Sequence, residues 1–249
     1  MSSSEIGGEP PAKRRKKSKK KKDDDAIIPD VVVQDSEENR KCIVILDEAS
    51  LEIVKTRKGE FTLLNSDDHR TILSKHDRDP AECRPDIAHQ ELMAALDSPL
   101  NKAGLLKVYV RTKQNVLIDV HPMVRVPRTY KRFAGLMCQL LHKLKIRAAD
   151  APQTLFKVIK NPVERHLPPG TLLYGFSKNG TKYSPHHFAA SLPDNKPIAL
   201  VFGAMATGSI SRDNHPSMLD MVCVSDYPLS GAVAMNRVLG AIEARWGIN

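Results

Sequence analysis

The sequence predicts an α/β domain built on a mainly parallel sheet, and three observations favour this fold class. Short apolar runs of strand length alternate with segments of helical spacing along residues 41–249. Two of these runs, IALVFG from residue 198 and MVCV from residue 221, end in small or turn-forming residues. The second run leads into an amphipathic helix. Because parallel strands end at one edge of a sheet, we expect both to open into a crevice that suits a small cofactor.

The first half of this domain can be placed element by element. CIVIL, from Cys42, is a continuous apolar run typical of a buried parallel strand, and we expect a helical stretch near Leu51. DIAHQELMAAL has helical spacing and begins at Asp86, a residue type that caps helices. KVYVRT and NVLIDV are separated only by Lys113 and Gln114, which indicates a hairpin.

The second half begins with a long helix, which we expect to open at Pro127 and to run to about Lys145. Short apolar runs then predict four strands, and a final amphipathic segment predicts the last helix. The strands are expected over 155–160, 171–176, 198–202 and 221–225, and the helix over 229–246.

Length and composition bound the class of protein. With 249 residues and 41% hydrophobic content, the chain can form a packed core as one large domain or two modest ones. No apolar run approaches the ~20 residues that span a bilayer, and the start has no signal-peptide pattern. The four cysteines are far apart, so we expect reduced residues in an intracellular protein, with neither a metal site nor a disulfide framework.

The net charge of +9 is unevenly placed. Residues 1–38 carry nine basic and nine acidic residues, so the whole excess belongs to residues 39–249 and favours a polyanionic partner such as nucleic acid. We expect residues 1–40 to be a disordered tail, since they hold few apolar residues. Its basic block, KRRKKSKKKK, favours a nuclear or nucleolar address over a loose RNA contact or a solubilising extension.

The predicted long helix has a basic face. No acidic residue occurs between Val120 and Ala149. On a helical wheel one arc is apolar, and Arg128, Lys131 and Arg132 lie on the opposite side. A solvated face normally mixes charges of both signs, so we favour phosphate binding over the simpler interpretation of a wet helix surface. The apolar arc holds Phe133, Leu136, Met137, Leu140, Leu141 and Leu144.

Upstream, the sequence CRPD places Arg84 and Asp86 on either side of a proline. Asp86 can cap the helix that follows it. It can also hold the Arg84 guanidinium by a charge-assisted hydrogen bond, so that the cation is aimed at a ligand. The two roles are compatible.

Several long motifs resemble one known family. RPDIAHQELMAALDSPLNKAGLL, NVLIDVHPMVRVPRTYKRFAGLMCQLLHKLKIRAAD, LFKVIKNPV and SDYPLSGAV are similar to the eukaryotic pseudouridine-N1 methyltransferases of small-subunit ribosome biogenesis, members of the SPOUT class. The resemblance covers residues 41–249. It implies a SPOUT-type domain with family-specific α/β insertions and a C-terminal trefoil knot in the cofactor-binding region.

The resemblance also implies ligands and their positions. It implies S-adenosylmethionine as methyl donor, a homodimer, and action on small-subunit pre-rRNA within pre-ribosomal particles of the small-subunit processome, in the nucleus and nucleolus. RNA-binding positions of the family fall on Arg84, with Asp86 as its brace, and on Arg125, Arg128 and Arg132. Donor-binding positions fall on Phe176, Gly203, Gly208, Val224, Ser225, Asp226, Tyr227, Pro228 and Leu229.

Two of these positions depart from the family pattern. Asp226 stands where asparagine is usual, and a carboxylate only accepts hydrogen bonds whereas an amide also donates them. Phe176 stands where the family varies, so we expect its backbone rather than its ring to touch the donor. The two glycines do not match the dinucleotide-binding spacing, and by themselves they can equally be ordinary turn residues.

Two functions remain open from the sequence. One is a methyltransferase that methylates N1 of a pseudouridine in small-subunit rRNA; the other is a non-catalytic rRNA-binding assembly factor that uses the same basic face. The methylated nitrogen must lose a proton. The sequence offers Asp226 and Asp86 as acceptors, although either can be purely structural, and it indicates no metal cluster.

Overall fold

An eight-stranded sheet forms the centre of the computed structural model, which describes residue 1 and residues 40–56, 59–149 and 152–249. The charged tail predicted over residues 1–40 lies outside the described residues, apart from its two end residues. The strands are β1 (Cys42–Ala49), β2 (Ile53–Lys55), β3 (Phe61–Leu63), β4 (Leu106–Thr112), β5 (Leu117–Val120), β6 (Lys145–Arg147), β7 (Thr154–Ile159), β8 (Leu172–Lys182), β9 (Ile198–Gly203) and β10 (Met218–Cys223). The helices are α1 (Arg70–Lys75), α2 (Pro85–Asp97), α3 (Pro99–Lys102), α4 (Tyr130–Lys143), α5 (Pro185–Ser191) and α6 (Gly231–Trp246).

The strand order is β10-β8-β9-β1-β4-β5-β7-β6. The strands from β10 to β4 pair in parallel, and β5, β7 and β6 extend the sheet in antiparallel fashion. This confirms the predicted α/β class with a mainly parallel sheet. The threading of a C-terminal knot stays a prediction of the resemblance.

Strand β1 shows why the parallel strands read as unbroken apolar runs. Val44 and Leu46 face a core layer made with the helices, whereas Ile43 and Ile45 face a smaller layer on the other side. A strand buried on both faces has no polar alternation. The helix-side layer includes Leu92, Phe133, Phe188 and Met235, and the smaller layer is closed by loop residues that include Val163 and Ile210.

The region after β1 corrects the sequence analysis. The helical stretch expected near Leu51 is wrong, because residues 53–55 form β2, which pairs antiparallel with β3. The partner strand lies about eight residues further along the chain, and local apolar spacing carries no signal of that pairing.

Helix boundaries differ from the prediction in three places. Helix α4 begins at Tyr130 rather than at Pro127, and it ends where Leu144 adopts a left-handed conformation (φ 60°). Helix α6 begins at Gly231 behind its N-cap residue Ser230. Asp86 is not the cap of α2: Arg84 occupies the N-cap position, Pro85 opens the helix, and Asp86 lies in its first turn.

The predicted hairpin of β4 and β5 is present, and β8 extends six residues beyond its expected end. All four cysteines are free thiols; Cys42, Cys83 and Cys223 are buried and Cys138 is half-buried. Among the described residues, no helix has the length and apolar character to cross a bilayer, and no group of ligating side chains is placed to hold a metal ion.

Candidate functional site

A cleft of about 860 Å³ opens where β8, β9 and β10 end in loops. Four segments line it: the N-terminal turns of α2, residues 176–179 of β8, residues 202–210, and residues 222–234 across the start of α6. The carboxyl ends of parallel strands thus meet in one crevice, as the sequence predicts.

Most residues at the expected donor-binding positions line this cleft. The structure brings together Phe176, Gly203, Gly208, Val224, Ser225, Tyr227, Pro228 and Leu229. Asp226 is the exception: its carboxylate lies at the surface, 2.7 Å from the ammonium of Lys182, and it does not line the cleft. The hydrogen bond and charge of Lys182 lower the pKa of this carboxyl below its ordinary value. Asp226 therefore pairs with a surface cation at the end of β8 and not with a residue of the cleft.

The ring of Phe176 packs in the core. It stacks on Phe202 with ring centroids 4.5 Å apart, and it meets Phe188 edge to face at 5.4 Å. Phe176 lines the cleft, and the expected contact of its backbone with the donor stays a prediction.

Two glycines shape the cleft. Gly208 has φ +105°, a conformation that side chains with a Cβ rarely adopt. Gly231 opens α6, and a Cβ there would collide with the Glu91 carboxylate. The sequence pointed to Gly208 but gave no reason to single out Gly231, since the collision involves a residue 140 positions earlier.

Arg84 and Asp86 stand at the cleft on the first turn of α2. Nε of Arg84 donates to Oδ1 of Asp86 at 2.8 Å, and Nη2 donates to Oδ2 at 2.7 Å. The hydrogen bonds and charge of Arg84 lower the pKa of the Asp86 carboxyl. The predicted brace is therefore present as a two-point ion pair that fixes the guanidinium plane.

The arginines of α4 and its leading segment lie outside the cleft. Arg125, Arg128 and Arg132 are exposed, and Arg128 makes an ion pair with Asp97 of α2 at 2.8 Å. Asp97 lies outside the acid-free stretch of sequence, so the wheel analysis could not find this partner. The segment is tied to α2, because Nε2 of His89 donates to the carbonyl oxygen of Pro127 at 2.7 Å.

Glu91 of α2 is a cleft residue that the sequence analysis missed. Its side chain is 0% exposed, and neither carboxylate oxygen has a hydrogen-bond partner among the described residues. Burial raises the pKa of this carboxyl to about 8. In the sequence Glu91 is one acid within an amphipathic helix, and nothing local distinguishes it from a solvated one.

A second buried group of charges lies behind the cleft loops and was also missed. Asp47 accepts from Nε of Arg111 at 2.5 Å and from Nε2 of His215 at 3.1 Å. Nδ1 of His215 lies 3.3 Å from Glu164, so the ring faces carboxylates with both nitrogens. Burial opposes the charge of His215, but the hydrogen bonds to Asp47 and Glu164 outweigh it and raise the pKa to about 9.

Comparison with solved structures identifies the fold. The chain is similar to the crystal structure of Archaeoglobus fulgidus Nep1 bound to S-adenosylhomocysteine, with a TM-score of 0.63 and 23% identity. The match covers 83% of this chain and 99% of that one. The chain therefore shares the SPOUT-type α/β fold of that structure.

Comparison with sequences identifies the family. The profile of the EMG1/NEP1 methyltransferases matches residues 44–243. The ribosomal RNA small subunit methyltransferase NEP1 of Homo sapiens is 50% identical over 212 residues, and that of Mus musculus is 49% identical over 212 residues. Each match covers 84% of this chain and 83% of the relative. The chain belongs to the EMG1/NEP1 methyltransferase family.

Proposed function

We propose that this protein transfers a methyl group from S-adenosylmethionine to N1 of a pseudouridine in small-subunit rRNA. It would act as a homodimer on pre-ribosomal particles of the small-subunit processome, in the nucleus and nucleolus. One observation carries the proposal: a single cleft joins the glycine loops of the sheet edge to the Arg84–Asp86 ion pair. A donor held by the loops and an RNA held by Arg84 would meet in that space.

The cleft residues fit the donor. The cleft volume of about 860 Å³ lies within the range of about 300–1,000 Å³ that is typical of small-molecule pockets. The loops around Gly203 and Gly208 would bring backbone amides and carbonyls close to the adenosine, and the start of α6 would present its N-terminal amides to polar atoms. The relatives' names support this role, and the archaeal Nep1 crystal structure contains the demethylated product of the same donor.

The basic residues fit an RNA strand. Arg84 would contact the RNA at the cleft, and Arg125, Arg128 and Arg132 would bind phosphates further along the strand. Because His89 links the Pro127 segment to α2, both sets of cations share one rigid support. Arg128 would exchange its exposed ion pair with Asp97 for a phosphate, at little cost because surface ion pairs contribute about 1 kcal/mol or less.

Methyl transfer from a sulfonium needs positioning more than activation. S-adenosylmethionine supplies a methyl group that is already activated. The protein must hold the acceptor nitrogen on the side of the methyl carbon opposite the sulfur. Holding two reactants about 3 Å apart in line can supply several kcal/mol of barrier reduction. Arg84 would place the nucleotide from one side, the glycine loops the donor from the other. A base inside a stem would have to leave its stack, so we expect the target in a hairpin loop.

The catalytic test uses a short hairpin RNA with one pseudouridine in its loop. Incubation with protein and S-adenosylmethionine should add one methyl group, measured by mass spectrometry of the nucleosides. The matched hairpin with uridine at that position should gain none. RNA binding without methylation of the pseudouridine hairpin would contradict the proposal and favour the non-catalytic assembly factor.

The donor site has its own test. Gly208→Val should weaken S-adenosylmethionine binding by calorimetry and leave RNA affinity within about twofold, because its φ of +105° cannot be kept by valine. Unchanged donor affinity in a folded variant would place the donor elsewhere.

The RNA surface is tested by a double variant. Arg125→Ala with Arg132→Ala should weaken hairpin binding and reduce its salt slope by about 0.7 per lost phosphate contact. Lys196→Ala is the control, since this exposed lysine precedes the N-terminal end of β9, the end away from the cleft. Equal effects of both changes would mean that net charge, and not this face, binds the RNA.

A further inference from the structure

The proposed reaction leaves one step without a residue, because the target ring nitrogen must lose its proton as it gains the methyl group. Within the described part of the chain, two carboxylates line the cleft, Asp86 and Glu91, and Asp226 lies just outside it. If the proposed function holds, one residue near the cleft must accept this proton, and these three carboxylates are the candidates.

Two of the three carboxylates are held by cations. Asp86 receives two hydrogen bonds from Arg84, and Asp226 receives one from Lys182. Each partner lowers the pKa of the carboxyl it contacts. A carboxylate stabilised in this way is a weak base, so neither residue suits the step.

Glu91 has the opposite surroundings. Both of its oxygens are buried, and in the residues that the structure covers neither meets a donor. A buried polar atom without a partner is uncommon in proteins and marks a strained or functional position. A protein keeps such a destabilising group where a bound ligand or a transferred proton supplies the missing partner.

The position of Glu91 also suits the step. It lies six residues after Pro85, the first residue of α2, and so about 9 Å along the helix from the end that carries Arg84. Its carboxyl meets Gly231 at the start of α6, next to the carbonyl of Gly203 at the end of β9. Glu91 thus lies between the residues that would hold RNA and those that would hold the donor.

We propose that the Glu91 carboxylate accepts the proton of the target nitrogen during methyl transfer. The N–H bond breaks, and its electron pair forms the N–CH₃ bond. The C–S bond breaks at the same time, and its electron pair stays on the sulfur, which becomes a neutral thioether. The proton resides on a Glu91 oxygen and passes to water when the products leave.

The electrostatics of the cleft support this role. Burial raises the pKa of Glu91 to about 8, which makes its ionised form a stronger base than an exposed carboxylate. The other charged or titratable side chains that line the cleft are Arg84, Asp86, Lys178, Cys223 and Tyr227. The positive sulfonium of a bound donor would favour the ionised form of Glu91 at neutral pH.

The test is the single-turnover methylation rate of Glu91→Gln at saturating donor and hairpin RNA, measured from pH 6 to pH 9. The amide keeps the size of the side chain and cannot accept the proton. The rate should fall roughly 100-fold or more, and the rise of the parent's rate with pH that reflects Glu91 ionisation should disappear. The parent's activity is measured first, so its absence would refute the proposed function and not this assignment.

Binding measurements separate proton transfer from other roles. Dissociation constants of Glu91→Gln for donor and RNA should stay within about threefold of the parent. Glu60→Gln, an exposed acid in the turn before β3, is the matched control and should keep the parent's rate and pH profile. Glu91→Asp should recover part of the rate, and it replaces the glutamine variant should that one fail to fold.

Two results would overturn the inference. One is a Glu91→Gln rate within tenfold of an active parent with the same pH profile. The other is a large loss of donor affinity with a normal rate at saturation, which would make Glu91 a binding residue for the cationic donor.

Discussion

Asp47 and Glu91 are two carboxylates with equal burial and opposite surroundings. Each side chain is 0% exposed. Burial raises the pKa of both, but hydrogen bonds from His215 and Arg111 reverse the effect at Asp47 and leave its pKa below the ordinary value. Glu91 has no such partner within the part of the chain that the structure describes, and its pKa rises to about 8. Burial disfavours the ionised form of a carboxyl group, and its hydrogen-bond partners decide whether the group is nevertheless ionised in the folded protein.

The two sites do different work because of that difference. The Asp47 cluster joins the end of β1 to Arg111 on β4 and to His215, the residue at the far end of the loop that carries Gly208. Asn214 adds a bond from the same loop to Glu48 at 3.3 Å. A paired cluster holds the loop to the sheet, whereas the acid inside the cleft has no hydrogen-bond partner among the described residues and is the group proposed to accept a proton.

The largest expected effect is at Asp47. Asp47→Asn removes one charge from a buried pair and leaves Arg111 and His215 without full compensation, which costs about 3–5 kcal/mol in buried ion pairs. Chemical denaturation should show this loss of unfolding free energy. Asp119→Asn is the control: its ion pair with Lys107 is one-third exposed, and its loss should cost about 1 kcal/mol or less. Similar losses in both variants would erase the distinction between the two clusters.

Glu91→Gln should act in the opposite direction on stability. The folded pKa of Glu91 lies above its unfolded value, so its contribution is fully present below about pH 4.5 and is lost as pH rises toward 8. At pH 8 the ionisation of Glu91 therefore lowers the free energy of unfolding by up to about 4 kcal/mol relative to acid pH. The variant should be more stable than the parent at pH 8 and show a flatter pH dependence.

Denaturation of both proteins at pH 5 and pH 8 checks this expectation. The difference between variant and parent should grow with pH. A variant that is less stable at both values by the same amount would mean that Glu91 stabilises the fold and is not a strained functional acid.

Replacement of His215 should give the next largest change in stability. Its pKa of about 9 in the folded protein exceeds the unfolded value of 6.5, so the stability it contributes is complete below pH 6.5 and is lost as pH rises through 9. The shift corresponds to about 3 kcal/mol. His215→Gln should lose stability at pH 6 and differ less from the parent at pH 9.5. A constant difference between the two pH values would rule out a charged His215.

Asp86 is a partly exposed carboxylate and should give the smallest stability change. Asp86→Gly removes an acid from the first turn of α2 and adds the backbone freedom of glycine. Together these changes should lower the free energy of unfolding by about 1 kcal/mol. It also releases Arg84, so hairpin affinity should fall. Asp86→Asn separates the two effects, because it keeps the backbone but weakens the ion pair. Thermal melts and RNA titrations of both variants measure the contributions, and normal RNA affinity in both would remove Arg84 from the interface.

The local spacing of apolar residues was enough to predict many of the secondary-structure elements. The doubly buried strand at Cys42, the helix of residues 86–96, the hairpin of β4 and β5, and the exposed basic face of α4 all follow from apolar spacing. The crevice followed as well, because two parallel strands that end in turn residues must open at the same sheet edge. The family motifs added the donor positions, of which Asp226 alone lies outside the cleft.

Only the tertiary structure decided which charges have partners. The β2–β3 pairing, the Arg128–Asp97 ion pair and the Asp47 cluster join residues that lie far apart in the chain, and pattern within a short window cannot show such contacts. Glu91 is the clearest case, because its neighbours at Gly203 and Gly231 lie more than 100 positions away. The sequence determines where a carboxylate stands on its helix, but desolvation and pairing depend on what packs against it in space.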